Sequence, residues 1–172
     1  MPARAFEDTV LPHLDAAFNY ARWLTRNDAD AEDVVQDACV RAMRFFSSLR
    51  DNDARPWLFA IVRNTWYSRV SRRASSEATP LIVAQHDEAD DALDPEERLL
   101  QQHTVAVVRT ALEQLPVDFR EVLVLRELEG LSYKEIAAVV GVPLGTVMSR
   151  LARGRDRLMA VLKLTVPMEI VR

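Results

Sequence analysis

A chain of 172 residues with 49% hydrophobic side chains can bury a core in one domain or in two small ones. Four glycines and a scarcity of turn pairs and alternating β-branched runs exclude a β-rich chain, and a single cysteine excludes an internal disulfide. The net charge of −4 is unevenly spread: residues 1–73 carry 11 basic and 10 acidic side chains, residues 74–100 carry 1 and 8, and residues 101–172 carry 10 and 8, so the acidity sits in the middle and both flanks are slightly basic.

No apolar run approaches the roughly 20 residues that span a bilayer. The opening MPARAFEDTVLPHLD carries Glu7 and Asp8 where a secretory leader needs an apolar stretch, so a cytoplasmic location is expected. Helical periodicity runs from Phe6 to Thr25, from Ala31 to Leu49 and from Pro56 to Arg73, and the fold class is all-α. Ahead of the second of these stretches, Asp28-Ala29-Asp30-Ala31-Glu32-Asp33 opens a helix on which Asp30, Asp33 and Asp37 share one face, two turns of acid where capping needs one. An exposed acidic face beside a DNA-binding surface would repel DNA and therefore suits a basic protein partner. The alternative, a carboxylate metal site for nuclease chemistry, has no general base or Gly-rich phosphate loop beside it. Cys39, among Val35, Ala38, Ala42 and Met43, reads as a small core hydrophobe, and His13, His86 and His103 lack zinc-ligand spacing; no metal or other cofactor is expected.

From Arg55 to Ser76 there is no acid, while Arg55, Arg63, Arg69, Arg72 and Arg73 are interleaved with Trp57, Phe59, Trp66 and Tyr67. Guanidinium groups neutralise phosphate and an exposed aromatic face stacks on an unpaired base, a combination better matched to a strand being opened than to intact duplex. Trp57, Phe59 and Trp66 also read as core, with one aromatic left to touch nucleic acid. The next stretch, Ala74 to Asp94, is polar, acidic and without apolar period, and reads as a flexible acidic linker between two small helical domains, residues 1–73 and 95–172.

Order resumes at Asp94-Pro95-Glu96-Glu97, with an Asp cap, a Pro in the first turn and two acids at the helix start. That helix breaks near Leu115-Pro116, and FREVLVLREL forms another that Gly130 stops. Ser132-Tyr133-Lys134-Glu135 matches a capping box; its short helix ends at Gly141, Val142-Pro143 reverses the chain, and a long amphipathic helix follows from Leu144 to Leu164. This is a helix-turn-helix. Val147, Leu151, Leu158 and Leu162 face its core, with Gly154 allowing close packing. Thr146, Ser149, Arg150, Arg153 and Arg157 form a polar, basic stripe able to enter a major groove and reach base edges and phosphates.

The segment LPVDFREVLVLRELEGLSYKEIAAVVGVPLGTVMSRLARGRDRL closely resembles region 4, the promoter-reading domain of extracytoplasmic-function sigma factors. DAEDVVQDACVRAMRFF, followed by RPWLFAIVRN, is similar to that family's region 2. The resemblance implies that Asp30, Glu32, Asp33, Gln36 and Asp37 dock on the clamp helices of the largest subunit of core RNA polymerase. It implies that the loop Arg50 to Arg55, with Asn52 and Arg55, captures a flipped minus-ten base, and that Arg63, Asn64, Tyr67, Arg69, Arg72 and Arg73 line the non-template strand. The stripe from Thr146 to Arg157 would read the minus-thirty-five element. At Met148 and Ala152 the chain departs from residues common in the family, which moves the expected contacts onto Ser149, Arg150 and Arg153. The resemblance further implies control by an anti-sigma factor and no catalysis. The rival readings are a dimeric helix-turn-helix regulator, which would need a dimerisation element or ligand pocket, and an enzyme acting on nucleic acid, which would need a catalytic constellation.

Overall fold

The computed structural model describes residues 2–50, 53–75 and 94–165, and every element in them is helical. The expected linker falls almost entirely at residues 76–93, and Asn52 at 51–52, both outside the described residues. The first periodic stretch is not one helix. Pro12 lacks the N–H that a continuous helix would use, so α1 (Pro2–Val10) gives way to a 3-10 turn at Leu11–His13 before α2 (Leu14–Thr25). α2 stops at Arg26, which adopts φ +60, and Asn27 then caps α3 (Asp28–Phe45) by accepting the Asp30 N–H at 3.1 Å. α4 (Ala54–Ala74) completes the first half.

α2, α3 and α4 pack on one another through a ridge of alanines, Ala17, Ala21, Ala31, Ala38 and Ala42, whose small side chains let the helices approach closely. Tyr20, Leu24, Val34, Leu58, Phe59 and Val62 fill the space around them. Phe59 is therefore core, stacked at a tilt on Tyr20 with centroids 5.4 Å apart, whereas Trp57 and Trp66 are half-buried against its edge.

The second half begins with α5 (Pro95–Glu113). Asp94 precedes it, but its side chain accepts no capping bond, so the expected Asp cap reduces to Pro95 in the first turn and the charges of Glu96 and Glu97. α6 (Val117–Leu123) runs into a π-helical turn at Val124–Leu128, and Gly130 at φ +67 ends it. The capping box at Ser132 and Glu135 is fully formed, with both reciprocal bonds at 3.1 Å, and starts α7 (Tyr133–Val140). Gly141 at φ +71 terminates α7, and α8 (Leu144–Thr165) leaves at 100° to it. A Cβ on Gly154 would lie 3.2 Å from Leu123 Cδ1, so glycine here sets the approach of α8 to α6.

The two halves do not stand apart. α4 packs on α7 and α2 on α6, and the buried side chains of both form a continuous core.

Candidate nucleic-acid interface

α8 presents the stripe expected from the sequence. Val147 and Leu151 are buried beneath it, Leu158 and Leu162 half-buried, while Ser149, Arg153 and Arg157 are exposed and Thr146 and Arg150 half-buried. Ser149 Oγ donates to the Thr146 carbonyl at 3.1 Å, and the Arg157 guanidinium lies 4.7 Å above the Phe119 ring. Arg153 thus projects between two side chains that their own neighbours orient, a geometry suited to base-edge and phosphate contacts from a helix lying in a major groove.

On the first half, α3 and α4 lie side by side, and the acids of one meet the arginines of the other. Arg69 Nη1 donates to Asp37 Oδ2 at 2.6 Å, with Nη2 3.6 Å from Asp33 Oδ2, and Arg73 Nη2 donates to Asp30 Oδ1 at 3.1 Å. That bond to Asp30 holds the Arg73 guanidinium above its ordinary range. Asp30 differs from expectation: it is buried, because it flanks the apolar stripe of Ala31, Val34 and Ala38 on the side that meets α4. Glu32, Asp33, Gln36 and Asp37 are exposed and form the open part of the acidic face. On α4, Asn64, Arg72 and Arg73 are exposed and Arg55, Arg63, Tyr67 and Arg69 are half-buried.

Between the halves sits a contact that sequence reasoning did not find. Glu121, on α6, is fully buried, and its carboxylate accepts Arg63 Nε at 2.8 Å, Arg63 Nη2 at 3.1 Å and the Tyr20 hydroxyl at 3.3 Å. The two-pronged guanidinium bond is the geometry that arginine also offers to phosphate. Burial, and then the Glu121 charge, push the Tyr20 phenol well above its ordinary value, so it stays a donor. The preceding residue crosses as well: the buried Arg120 guanidinium donates to the Trp23 carbonyl at 2.8 Å while holding the Leu115 carbonyl at 3.0 Å. Arg63 stands 4.4 Å over the Tyr67 ring. Burial raises the Tyr67 phenol, Glu121 adds to the rise, and the charges of Arg63 and Arg150 oppose it, so the α8 arginine is felt at α4. Burial likewise raises the Glu129 carboxyl against the opposing charge of Arg55. The available signal was an Arg-Glu pair inside the apolar run FREVLVL, where a solvated helix would bury neither.

A helix-turn-helix with a basic groove-facing stripe, joined to a helical unit that carries arginines, aromatics and an acidic flank, defines a two-part transcription factor of the sigma-70 type. Residues 9–76 match Sigma-70 region 2, and residues 106–158 match Sigma-70, region 4. The chain belongs to the sigma-70 family, in its extracytoplasmic-function branch. It is 39% identical over 135 residues to the ECF RNA polymerase sigma-E factor of Escherichia coli, covering 74% of this chain and 71% of that protein. It is 35% identical over 161 residues to the RNA polymerase sigma-H factor of Pseudomonas aeruginosa, covering 89% and 83%. The match to SigE of Mycolicibacterium smegmatis is 36% over 154 residues, 90% of this chain but 60% of that longer protein. Among solved structures, the sigma factor RpoE bound to the anti-sigma factor NepR from Bartonella quintana aligns with a TM-score of 0.76 at 31% identity, covering 93% of this chain and 98% of that one. CnrH in complex with the cytosolic domain of CnrY aligns with a TM-score of 0.67 at 30% identity, covering 95% and 91%. No single helix among the described residues is long and apolar enough to cross a membrane.

Proposed function

We propose that the chain binds core RNA polymerase in the cytoplasm and directs it to promoters, with no catalysis of its own and under the control of an anti-sigma factor. The observation that carries this reading is the pairing of a capped helix-turn-helix, with Ser149, Arg153 and Arg157 exposed, with a region-2 unit that exposes Glu32, Asp33, Gln36 and Asp37. In this reading residues 1–73 dock on the clamp helices of the polymerase and engage the minus-ten element, residues 74–94 link, and residues 95–172 read the minus-thirty-five element. Asp30 supports the docking face through Arg73, and the four exposed neighbours meet the basic partner. Arg55, Arg63, Asn64, Tyr67, Arg69, Arg72 and Arg73 serve the opened strand, with Asn52 at the base-capture loop. Thr146, Ser149, Arg150, Arg153 and Arg157 contact the duplex.

The sigma factor RpoE and CnrH, similar over nearly their whole length, are both seen bound by a second protein, named an anti-sigma factor for RpoE, which supports the same mode of control here. Transcription from a promoter library with purified core polymerase tests the reading. Initiation that depends on this chain supports it, and DNA binding without any gain in initiation would instead favour an autonomous helix-turn-helix regulator.

A further inference from the structure

The exposed face of α8 is not uniformly polar. Ser149 and Arg153 stand one turn apart on it, and beside them runs a second row, Leu144, Met148 and Ala152, at the same four-residue spacing. This row lies outside the core: Leu144 keeps 46% of its surface open and Met148 52%, whereas Val147 and Leu151 already supply the helix's buried side. A Cβ added to Gly145, in the first turn, would meet nothing within 4 Å, so the start of the row is open. Arg155, which follows on this flank, is drawn toward Glu127, whose Oε1 accepts its Nε at 3.2 Å and its Nη2 at 2.8 Å.

A helix that lies in a major groove presses the residues of its first turns against base edges. An apolar row there can neither donate nor accept a hydrogen bond. Guanine, with N7 and O6, or adenine, with N7 and N6, would exchange water for no partner against it, which is unfavourable. Thymine differs, because its C5-methyl is the one methyl group that the four bases present in that groove. We propose that Met148 is a specificity-determining residue of the helix-turn-helix, its side chain packing on a thymine C5-methyl of the minus-thirty-five element with Ala152 beside it. This rests on the reading of α8 as the groove helix. Ser149 and Arg153 then make the hydrogen bonds, and the apolar row selects its base by rejecting polar edges as much as by attracting the methyl. The unbranched, polarisable thioether of Met148 can follow the methyl without a change in the helix.

The test uses holoenzyme assembled from the full chain and purified core polymerase. The probe is a duplex promoter whose minus-thirty-five segment has been selected from a randomised library by this holoenzyme, and each thymine in that segment is replaced in turn by uracil. Uracil removes the C5-methyl and leaves every hydrogen-bonding group in place. At one or two positions the replacement is expected to lower promoter affinity about fourfold, the effect of uncovering one methyl-sized group. Met148→Ala, a change at an exposed position, should bind the thymine and uracil duplexes equally there, and Met148→Leu, still apolar, should keep the preference for thymine. A wild-type holoenzyme indifferent to every methyl in the segment overturns the proposal, and so does a uracil penalty of wild-type size in Met148→Ala. Failure of the underlying reading has its own signature, since the selection would then enrich no minus-thirty-five sequence at all.

Discussion

Ser132 and Gly141 bracket α7 with the two local devices that define a short helix, a reciprocal cap at one end and a left-handed residue at the other. Ser132→Ala removes one of the two cap bonds and should cost about 1 kcal/mol, read as a lower unfolding midpoint in urea. Gly141→Ala puts a side chain at φ +71, a conformation that costs roughly 1–2 kcal/mol for an L-residue. Open space surrounds the added methyl there, so the loss comes from the backbone rather than from a clash. Cys39 shows a different residue-level effect, because burial alone pushes its thiol up from the ordinary value. Its thiolate fraction near neutrality is therefore reduced, and alkylation by iodoacetamide at pH 8 should run several-fold slower than for an unfolded peptide of the same sequence. Cys39 is half-buried rather than the core residue expected from the sequence, and a rate equal to that of the peptide would show that the fold does not shield this thiol.

At the scale of the helix, α3 and α8 each set an exposed functional stripe over a buried apolar one, and each stripe is read by changing its charge. Reversing Asp33 and Asp37 to lysine should weaken core-polymerase binding, yet both acids also approach Arg69 at 3.6 and 2.6 Å. Arg69→Ala separates the two roles: loss of these exposed pairs costs little stability, and polymerase affinity measured by fluorescence anisotropy should fall only with the acids. On α8, Arg150→Ala and Arg153→Ala should each lose about 1–3 kcal/mol of DNA affinity where they contact bases, with the loss depending on sequence. A uniform loss over all sequences would make them phosphate anchors. Val122, Leu123, Val124 and Leu125 are buried in succession because α6 and the π-helical turn that continues it are covered by α2 on one side and by α7 and α8 on others.

For the molecule as a whole, the closed arrangement predicts a particular order of DNA affinities. A fragment of residues 94–172 takes α4 away from Arg150, which the full chain sets near Tyr67, and should bind minus-thirty-five duplex more tightly than the full chain, measured at one low salt concentration. Equal affinities would mean that α8 is no less available in the closed form than alone. The contact between the halves buries the Glu121 carboxylate completely and Arg63 in part, so Glu121→Ala, which removes the bonds to Arg63 and Tyr20, should destabilise the packing of the halves by about 2 kcal/mol, seen as a loss of cooperativity between them in thermal unfolding.

The helices, the helix-turn-helix and the two basic surfaces are legible in the order of residues alone. Caps, glycine stops and helical period are set by residues within about four positions of one another, and side-chain chemistry at such spacing is visible without a fold. Even there, Pro12 splitting the first helix and the uncapped Asp94 show local signals being adjusted by what surrounds them. Which charges meet depends on how the helices pack. Glu121 lies 58 residues from Arg63 and 101 from Tyr20, so no window along the chain relates them. Asp30, acidic and helix-opening like its neighbours, is distinguished from Asp33 and Asp37 only by the side of α3 that packs on α4. Burial converts an unremarkable glutamate into a group that links the two halves, because a carboxylate cut off from water must take the nearest guanidinium, and the fold alone determines which one that is.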